Sequence, residues 1–193
     1  MLARGSANWI LVPLMMGVVA ILFESYVVAA AFICLAAFFV VFFRDPERAP
    51  RGDGMVSPAD GVVMHADKKV GIFMNIYDVH VNRAPLSGVV KRIEYRKGGC
   101  VPAFHKDSDR NEQNNITIET EYGDVKVTQI AGILARRIVC YVNEGDMVER
   151  GQRIGMIRFG SRVDVTIPDE FVVSVSPGDR VKAGESMIAR RPK

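Results

Sequence analysis

The chain has 193 residues, enough for one domain with an appendage. Its formal net charge is +3, and basic side chains are scattered among acids, which argues against a nucleic-acid partner held by a basic patch. Three cysteines, Cys34, Cys100 and Cys140, lack any C-x-x-C spacing, which argues against a disulfide framework and a metal site and fits a reducing compartment.

The apolar content is uneven, and much of it precedes residue 44. Trp9 to Phe23 is a run of 15 apolar or small residues broken by Pro13 and Gly17; Glu24-Ser25 interrupts, and Tyr26 to Phe43 adds 18 residues without a charge. At about 1.5 Å per residue the second run reaches roughly 27 Å, most of a bilayer core, and the first roughly 22 Å, a marginal span. A cleaved signal peptide would carry one short apolar run, not a second, longer one. The pattern predicts a membrane-anchoring helical hairpin with its linker over residues 1–50, turning at Glu24-Ser25. Arg44, Arg48 and Arg51 follow at once, so the positive-inside tendency places this flank, and the N-terminus with Arg4, in the cytoplasm. The expected location is the cell membrane, with the following domain on its cytoplasmic side.

From Val56 onward, short runs such as G-V-V-M-H, N-I-T-I-E-T and D-V-K-V-T-Q-I alternate with Gly, Pro and Asp. They predict a mainly β domain over residues 51–193. Arg96 to Asn115 is polar and glycine-rich and reads as a long loop. V-N-E-G-D-M-V-E-R-G at 142–151 and V-S-P-G-D-R-V-K-A-G at 175–184 share V-x-x-G-D-x-V-x-x-G at an offset of 33 residues. Gly-Asp supplies a tight turn in each. Such paired hairpins resemble the barrel-sandwich hybrid of lipoyl and biotinyl domains, and S-P-A-D-G at 57–61 reads as the start of a related hairpin. Neither turn carries a lysine at its tip, which argues against a lipoyl or biotinyl carrier.

Histidine is scarce: His65, His80 and His105. Asp78 and His80 would share a face if their segment is a strand. Asp60, His80 and a serine could meet as a Ser-His-Asp constellation. The plainer readings are a core histidine between valines and an aspartate that forms a turn before Gly61.

Gly160-Ser161 sits in I-R-F-G-S-R-V-D-V, which otherwise reads as a strand, where glycine marks a bulge or a close backbone approach. Together with F-F-R-D-P-E-R after the apolar segment, S-P-A-D-G and D-V-H-V-N-R-A-P, this stretch resembles the phosphatidylserine decarboxylase family in its short form, whose archaeal members act on archaetidylserine. The resemblance covers nearly the whole chain. It implies autocatalytic cleavage between Gly160 and Ser161 into a β chain of residues 1–160 and an α chain of residues 161–193. Ser161 then becomes a covalent pyruvoyl group, the only cofactor implied. Asp60, His80 and Ser161 match the family's Asp-His-Ser set. In the implied chemistry His80 takes the Ser161 proton with Asp60 orienting the ring, and Ser161 attacks the Gly160 carbonyl. The implied reaction converts a serine phospholipid to the ethanolamine lipid and CO2, with His80 as candidate proton donor. The implied partners are the membrane lipid and the two chains of the processed heterodimer, and members often form homo-oligomers.

Two positions depart from longer members. F-G-S-R carries Arg162 where L-G-S-T has a small hydroxyl residue, and Arg83 stands where a second histidine is usual. Arg83, Arg136 and Arg137 are candidates for the lipid phosphate, with ordinary surface charge as the plainer reading. Two other classes stay open: a non-catalytic, membrane-anchored barrel-sandwich adaptor, and a serine hydrolase using Ser161 as a turnover nucleophile.

Overall fold

The computed structural model describes residues 1–99, 110–132, 138–158 and 161–192. It divides into two compact units, Met1–Glu47 and Arg48–Lys193.

The first unit is an antiparallel helical hairpin of α1 (Ala7–Leu22) and α2 (Tyr26–Phe42). Glu24 takes a left-handed φ of 54° at the turn, and the Ser25 N–H closes it on the Ala20 carbonyl at 2.8 Å. Small buried residues, Gly17, Ala20, Ala29 and Ala36, let the helices approach, and Trp9 packs edge-on against Phe39 with ring centroids 5.4 Å apart. A bridge between Leu2 and Arg44 returns both ends to the same side. The outer faces are apolar: Leu11, Val12, Met15, Val27, Val28 and Val41 are all exposed. At 16 and 17 residues, neither helix is long and apolar enough to cross a membrane. The hairpin expected from the apolar runs is present; full spans are not found among the described residues.

The second unit is mainly β. Among the described residues its central sheet has eight antiparallel strands in the order β13 (Arg180–Val181), β2 (Gly61–Ala66), β3 (Lys69–Met74), β11 (Ser161–Thr166), β7 (Gly123–Ala131), β6 (Gln113–Thr120), β5 (Gly88–Arg96) and β9 (Met147–Val148). Two three-stranded sheets accompany it. One is β1 (Met55–Val56), β14 (Met187–Arg190) and β12 (Val172–Val173); the other is β4 (Val81–Arg83), β10 (Arg153–Ile157) and β8 (Ile138–Cys140). One face of the central sheet supplies the core through alternate residues: Val70 and Ile72, Val163 and Val165, Val125 and Val127, Ile116 and Ile118, all fully buried. Each such side chain contributes roughly 2 kcal/mol by leaving water.

The repeated glycine motifs anchor a local two-fold correspondence. In one copy the Gly178 N–H bonds the Val63 carbonyl and the Val63 N–H bonds the Asp179 carbonyl; in the other, Gly145 and Asp146 make the same pair with Val90. The turns share their chemistry as well, since the Asp179 and Asp146 carboxylates accept from the N–H groups of Ser176 and Asn143 at 2.7 and 2.8 Å. The partner strands therefore match: G-V-V at 61–63 corresponds to G-V-V at 88–90, a second repeat that is easily passed over because only three residues carry it. The last glycines of the motif, Gly151 and Gly184, have φ of 84° and 69°, and a Cβ on Gly184 would collide with the Arg83 side chain.

Three sequence expectations change. The polar stretch 96–115 is not one loop, because β5 runs through Arg96 and β6 starts at Gln113, with 100–109 outside the described residues. Asp78 and His80 are not strand neighbours; they lie in the turn and extended segment before β4. Ser161 begins β11 rather than lying inside a strand that starts at Ile157.

Candidate functional site

The quoted motifs meet through backbone hydrogen bonds. The Arg83 N–H bonds the Pro58 carbonyl and the Val56 N–H bonds the Pro85 carbonyl, so S-P-A-D-G lies along H-V-N-R-A-P. Met156 pairs with Val81 across β10 and β4, and the Ile157 N–H bonds the His80 carbonyl at 3.2 Å. The strand that leads toward Gly160-Ser161 is thereby fixed beside the histidine segment. Gly160 lies outside the described residues, as do His105, Arg136 and Arg137.

Ser161 is fully buried at the start of the sheet's central strand, paired with Met74 on one side and Ala131 on the other. Its Oγ donates to the thioether of Met74 at 3.3 Å. Thioether sulfur is a weak acceptor that takes no proton, so this contact orients the hydroxyl without activating it.

His80 is also fully buried, and its Nδ1 lies 2.9 Å from the Asp78 carbonyl oxygen. The contacts of Asp60 are with Arg48 and Ala183. Its carboxylate takes both Nη atoms of Arg48 and the Ala183 N–H, and it makes no hydrogen bond to His80. The Ala183 bond has a counterpart across the two-fold, where Ser87 Oγ accepts from the Arg150 N–H at 2.9 Å. Asp60 therefore fastens a turn as Ser87 does, and additionally neutralises Arg48. Arg48, one of the arginines that follow the apolar runs, is a partly buried partner of Asp60, with 9% of its side chain exposed.

Arg83, a candidate phosphate ligand, is 4% exposed, and its Nη1 donates to the Gly151 carbonyl at 2.9 Å. It bolts together the last glycines of the two repeats. Arg162 points to the other face of β11, where its Nη2 bonds Asp164 Oδ2 at 2.9 Å. Lys69 Nζ reaches the same oxygen at 2.6 Å, and His65 Nε2 lies 4.0 Å from Oδ1. Among the described residues no cluster of His, Cys, Asp and Glu could hold a metal ion.

Sequence reasoning missed a series of buried amides that ends at Met74, the residue whose sulfur receives the Ser161 hydroxyl. Asn114 donates to Gln129 Oε1 at 2.9 Å, Gln129 donates to Asn82 Oδ1 at 2.7 Å, and Asn82 Nδ2 points at Met74 Sδ at 3.7 Å. The available signal was polarity in strands that should be apolar on their inner face: Asn82 within H-V-N-R, and Gln129 within V-T-Q-I.

A model of the phosphatidylserine decarboxylase family matches residues 35–189. The chain belongs to that family. It is 52% identical over 201 residues to an archaetidylserine decarboxylase proenzyme of Methanosarcina mazei, covering 98% of this chain and 96% of the relative. A proenzyme of the same name from Methanosarcina acetivorans is 60% identical over 158 residues, 80% of this chain and 76% of the relative. A phosphatidylserine decarboxylase proenzyme of Thermobifida fusca is 46% identical over 200 residues, 98% of this chain and 92% of the relative. No solved structure matches the chain. Membership of the phosphatidylserine decarboxylase family makes the chain a decarboxylase of phospholipid metabolism made as a proenzyme.

Proposed function

We propose that the protein cuts itself between Gly160 and Ser161 and then decarboxylates a glycerophospholipid with a serine head group, ester- or ether-linked, to the ethanolamine lipid. The observation that carries this reading is the fully buried Ser161 at the mouth of the central strand, with the histidine segment bonded to the strand just ahead of it.

The Asp78 carbonyl can only accept, so Nδ1 of neutral His80 carries the proton and Nε2 keeps its lone pair. That tautomer suits His80 as general base for the Ser161 hydroxyl. Ser161 Oγ bonds to the Gly160 carbonyl carbon, the peptide C–N bond breaks, and the nitrogen takes up a proton, which leaves an ester. Removal of the Ser161 α-proton then expels the Gly160 carboxylate. The resulting dehydroalanine tautomerises to an imine, and water releases ammonia to leave a pyruvoyl group at residue 161. Asp60 and Arg48 serve these steps by fixing the turn that runs along Arg83.

A pyruvoyl group made in place fits its surroundings: residue 161 has no solvent exposure and meets the thioether of Met74. Its ketone supplies the electron sink for loss of CO2 from the α-carbon of the head group. His80 is positioned by the same bonds to return a proton.

The helical hairpin enters the membrane from the cytoplasmic side and returns to it, bringing the second unit to its lipid. The apolar outer faces support this, and the helix lengths favour shallow insertion over a full span. The proposed reaction is tested with vesicles of phosphatidylserine labelled in the serine carboxyl. Labelled CO2 and phosphatidylethanolamine should form with the native chain and not with Ser161→Ala; equal release by both would refute the assignment.

A further inference from the structure

We infer that the side-chain amide of Asn82 is the hydrogen-bond donor that meets negative charge formed at the scissile bond during self-cleavage, with Gln129 and Asn114 as the residues that position it. This rests on the self-cleavage reading above.

The inner face of the sheet changes character along its strands. In β11 the inner residues run Val165, Val163, Ser161; in β7, Val125, Val127, Gln129, Ala131; in β6, Ile118, Ile116, Asn114. Each strand is aliphatic at one end and carries a polar residue toward the Ser161 end, where β7 closes on Ala131, and all ten side chains are buried. Buried amides cost stability unless hydrogen-bonded, and aliphatic residues of similar size would fill the same space. A polar change confined to one end of three neighbouring strands belongs to what happens at that end.

The amides are ordered head to tail. Asn114 Nδ2 donates to Gln129 Oε1, Gln129 Nε2 donates to Asn82 Oδ1, and Asn82 Nδ2 faces the Met74 sulfur that also receives the Ser161 hydroxyl. Turning any single amide over would set two oxygens or two NH2 groups against each other. In this order the series ends in an N–H donor, not a carbonyl, at Met74, whose sulfur also receives the Ser161 hydroxyl. β10 is built to admit the middle member: Gly155 pairs with Asn82, and a Cβ there would stand 2.7 Å from Gln129 Nε2.

At 3.7 Å from a thioether, the Asn82 donor has a weak partner that costs little to leave, and methionine is flexible enough to move aside. Attack by Ser161 turns the Gly160 carbonyl oxygen, adjacent to residue 161 in the chain, into an anion. A fixed donor in a dry site is suited to that charge, and losing one such donor costs roughly 100- to 1,000-fold in rate.

The test follows self-cleavage of full-length chain from cell-free synthesis, by pulse and chase, with and without hydroxylamine, which cleaves esters and spares amides. Asn82→Leu should slow cutting roughly 100-fold, and hydroxylamine should not restore it, because no ester accumulates. Gln129→Glu tests the positioning role separately. Its ionised carboxylate would repel Asn82 Oδ1 and turn the amide over, whereas its protonated form would donate as glutamine does. The ratio of its rate to the native rate should therefore rise as pH falls while its circular dichroism stays that of the folded native chain across the same range, which separates positioning from the pH-dependent stability a buried carboxylate would bring. The inference is overturned if Asn82→Leu cuts at the native rate, or if hydroxylamine cleaves it as fast as the native chain. If Asn82→Leu does not fold, a Gln129→Glu ratio that is flat with pH overturns it. If the native chain is folded and never cut, the self-cleavage reading falls first and this inference with it.

Discussion

His80 Nδ1 lies 2.9 Å from the backbone carbonyl oxygen of Asp78, so main chain two residues away orients the imidazole. The side chain of Asp78 is occupied elsewhere, accepting from the Asn75 N–H at 2.7 Å. Asp78→Asn keeps that acceptor and the carbonyl, and should cut itself at close to the native rate. His80→Ala should slow cutting by roughly 100-fold or more, the usual contribution of a general base. A time course of precursor loss checks both. Equal rates for His80→Ala and the native chain would move the base to another residue.

Arg48 and Asp60 should behave as one unit. Removing either partner of a buried pair leaves an uncompensated charge and costs about 3 kcal/mol. Measured by urea unfolding on the uncut Ser161→Ala background, Arg48→Leu and Asp60→Asn should each destabilise. The double variant should lose less than the sum. Both singles should also slow maturation in an otherwise native chain, since the turn they hold is bonded to Arg83. Strict additivity would show that the two side chains do not act together.

Arg162 is a partner of Asp164 on the outer face of β11, and that accounts for an arginine where longer family members have threonine. Asp164 has no exposed side-chain surface, so its charge needs partners. Arg162→Thr alone should lower stability by about 2 kcal/mol, and adding Asp164→Thr should recover much of the loss. Thermal unfolding of the single and double variants decides this; a double variant worse than Arg162→Thr would contradict it.

Removal of residues 1–43 should leave self-cleavage intact, because Asp60, His80, Asn82 and Ser161 all belong to the second compact unit. Turnover of bilayer phosphatidylserine should fall sharply, while a short-chain, water-soluble phosphatidylserine should still be decarboxylated. A truncated chain that folds but stays uncut would assign the hairpin a part in shaping the catalytic unit.

What the sequence disclosed followed from local chemistry. The apolar runs, the Gly-Asp turns and the motif around Gly160-Ser161 are contiguous, and each is visible in a short window. The three-residue repeat at 61–63 and 88–90 became meaningful only when both copies were seen bonding the same turn. Motif order says nothing of which acceptor faces which donor: the resemblance sets Asp60 with His80, and the structure shows its carboxylate on Arg48 and Ala183. The amide series was missed for a related reason. Asn82, Asn114 and Gln129 lie on three strands, and only sheet register and packing bring them to Ser161.

The central claim is that the chain processes itself at Gly160-Ser161, and intact-mass measurement of the purified protein tests it most directly. The account expects two polypeptides, residues 1–160 and 161–193, the smaller lighter by the mass of ammonia and blocked at its N-terminus, with Ser161→Ala remaining one chain. A folded native protein of a single uncut mass, or cleavage at the same bond in Ser161→Ala, would contradict it.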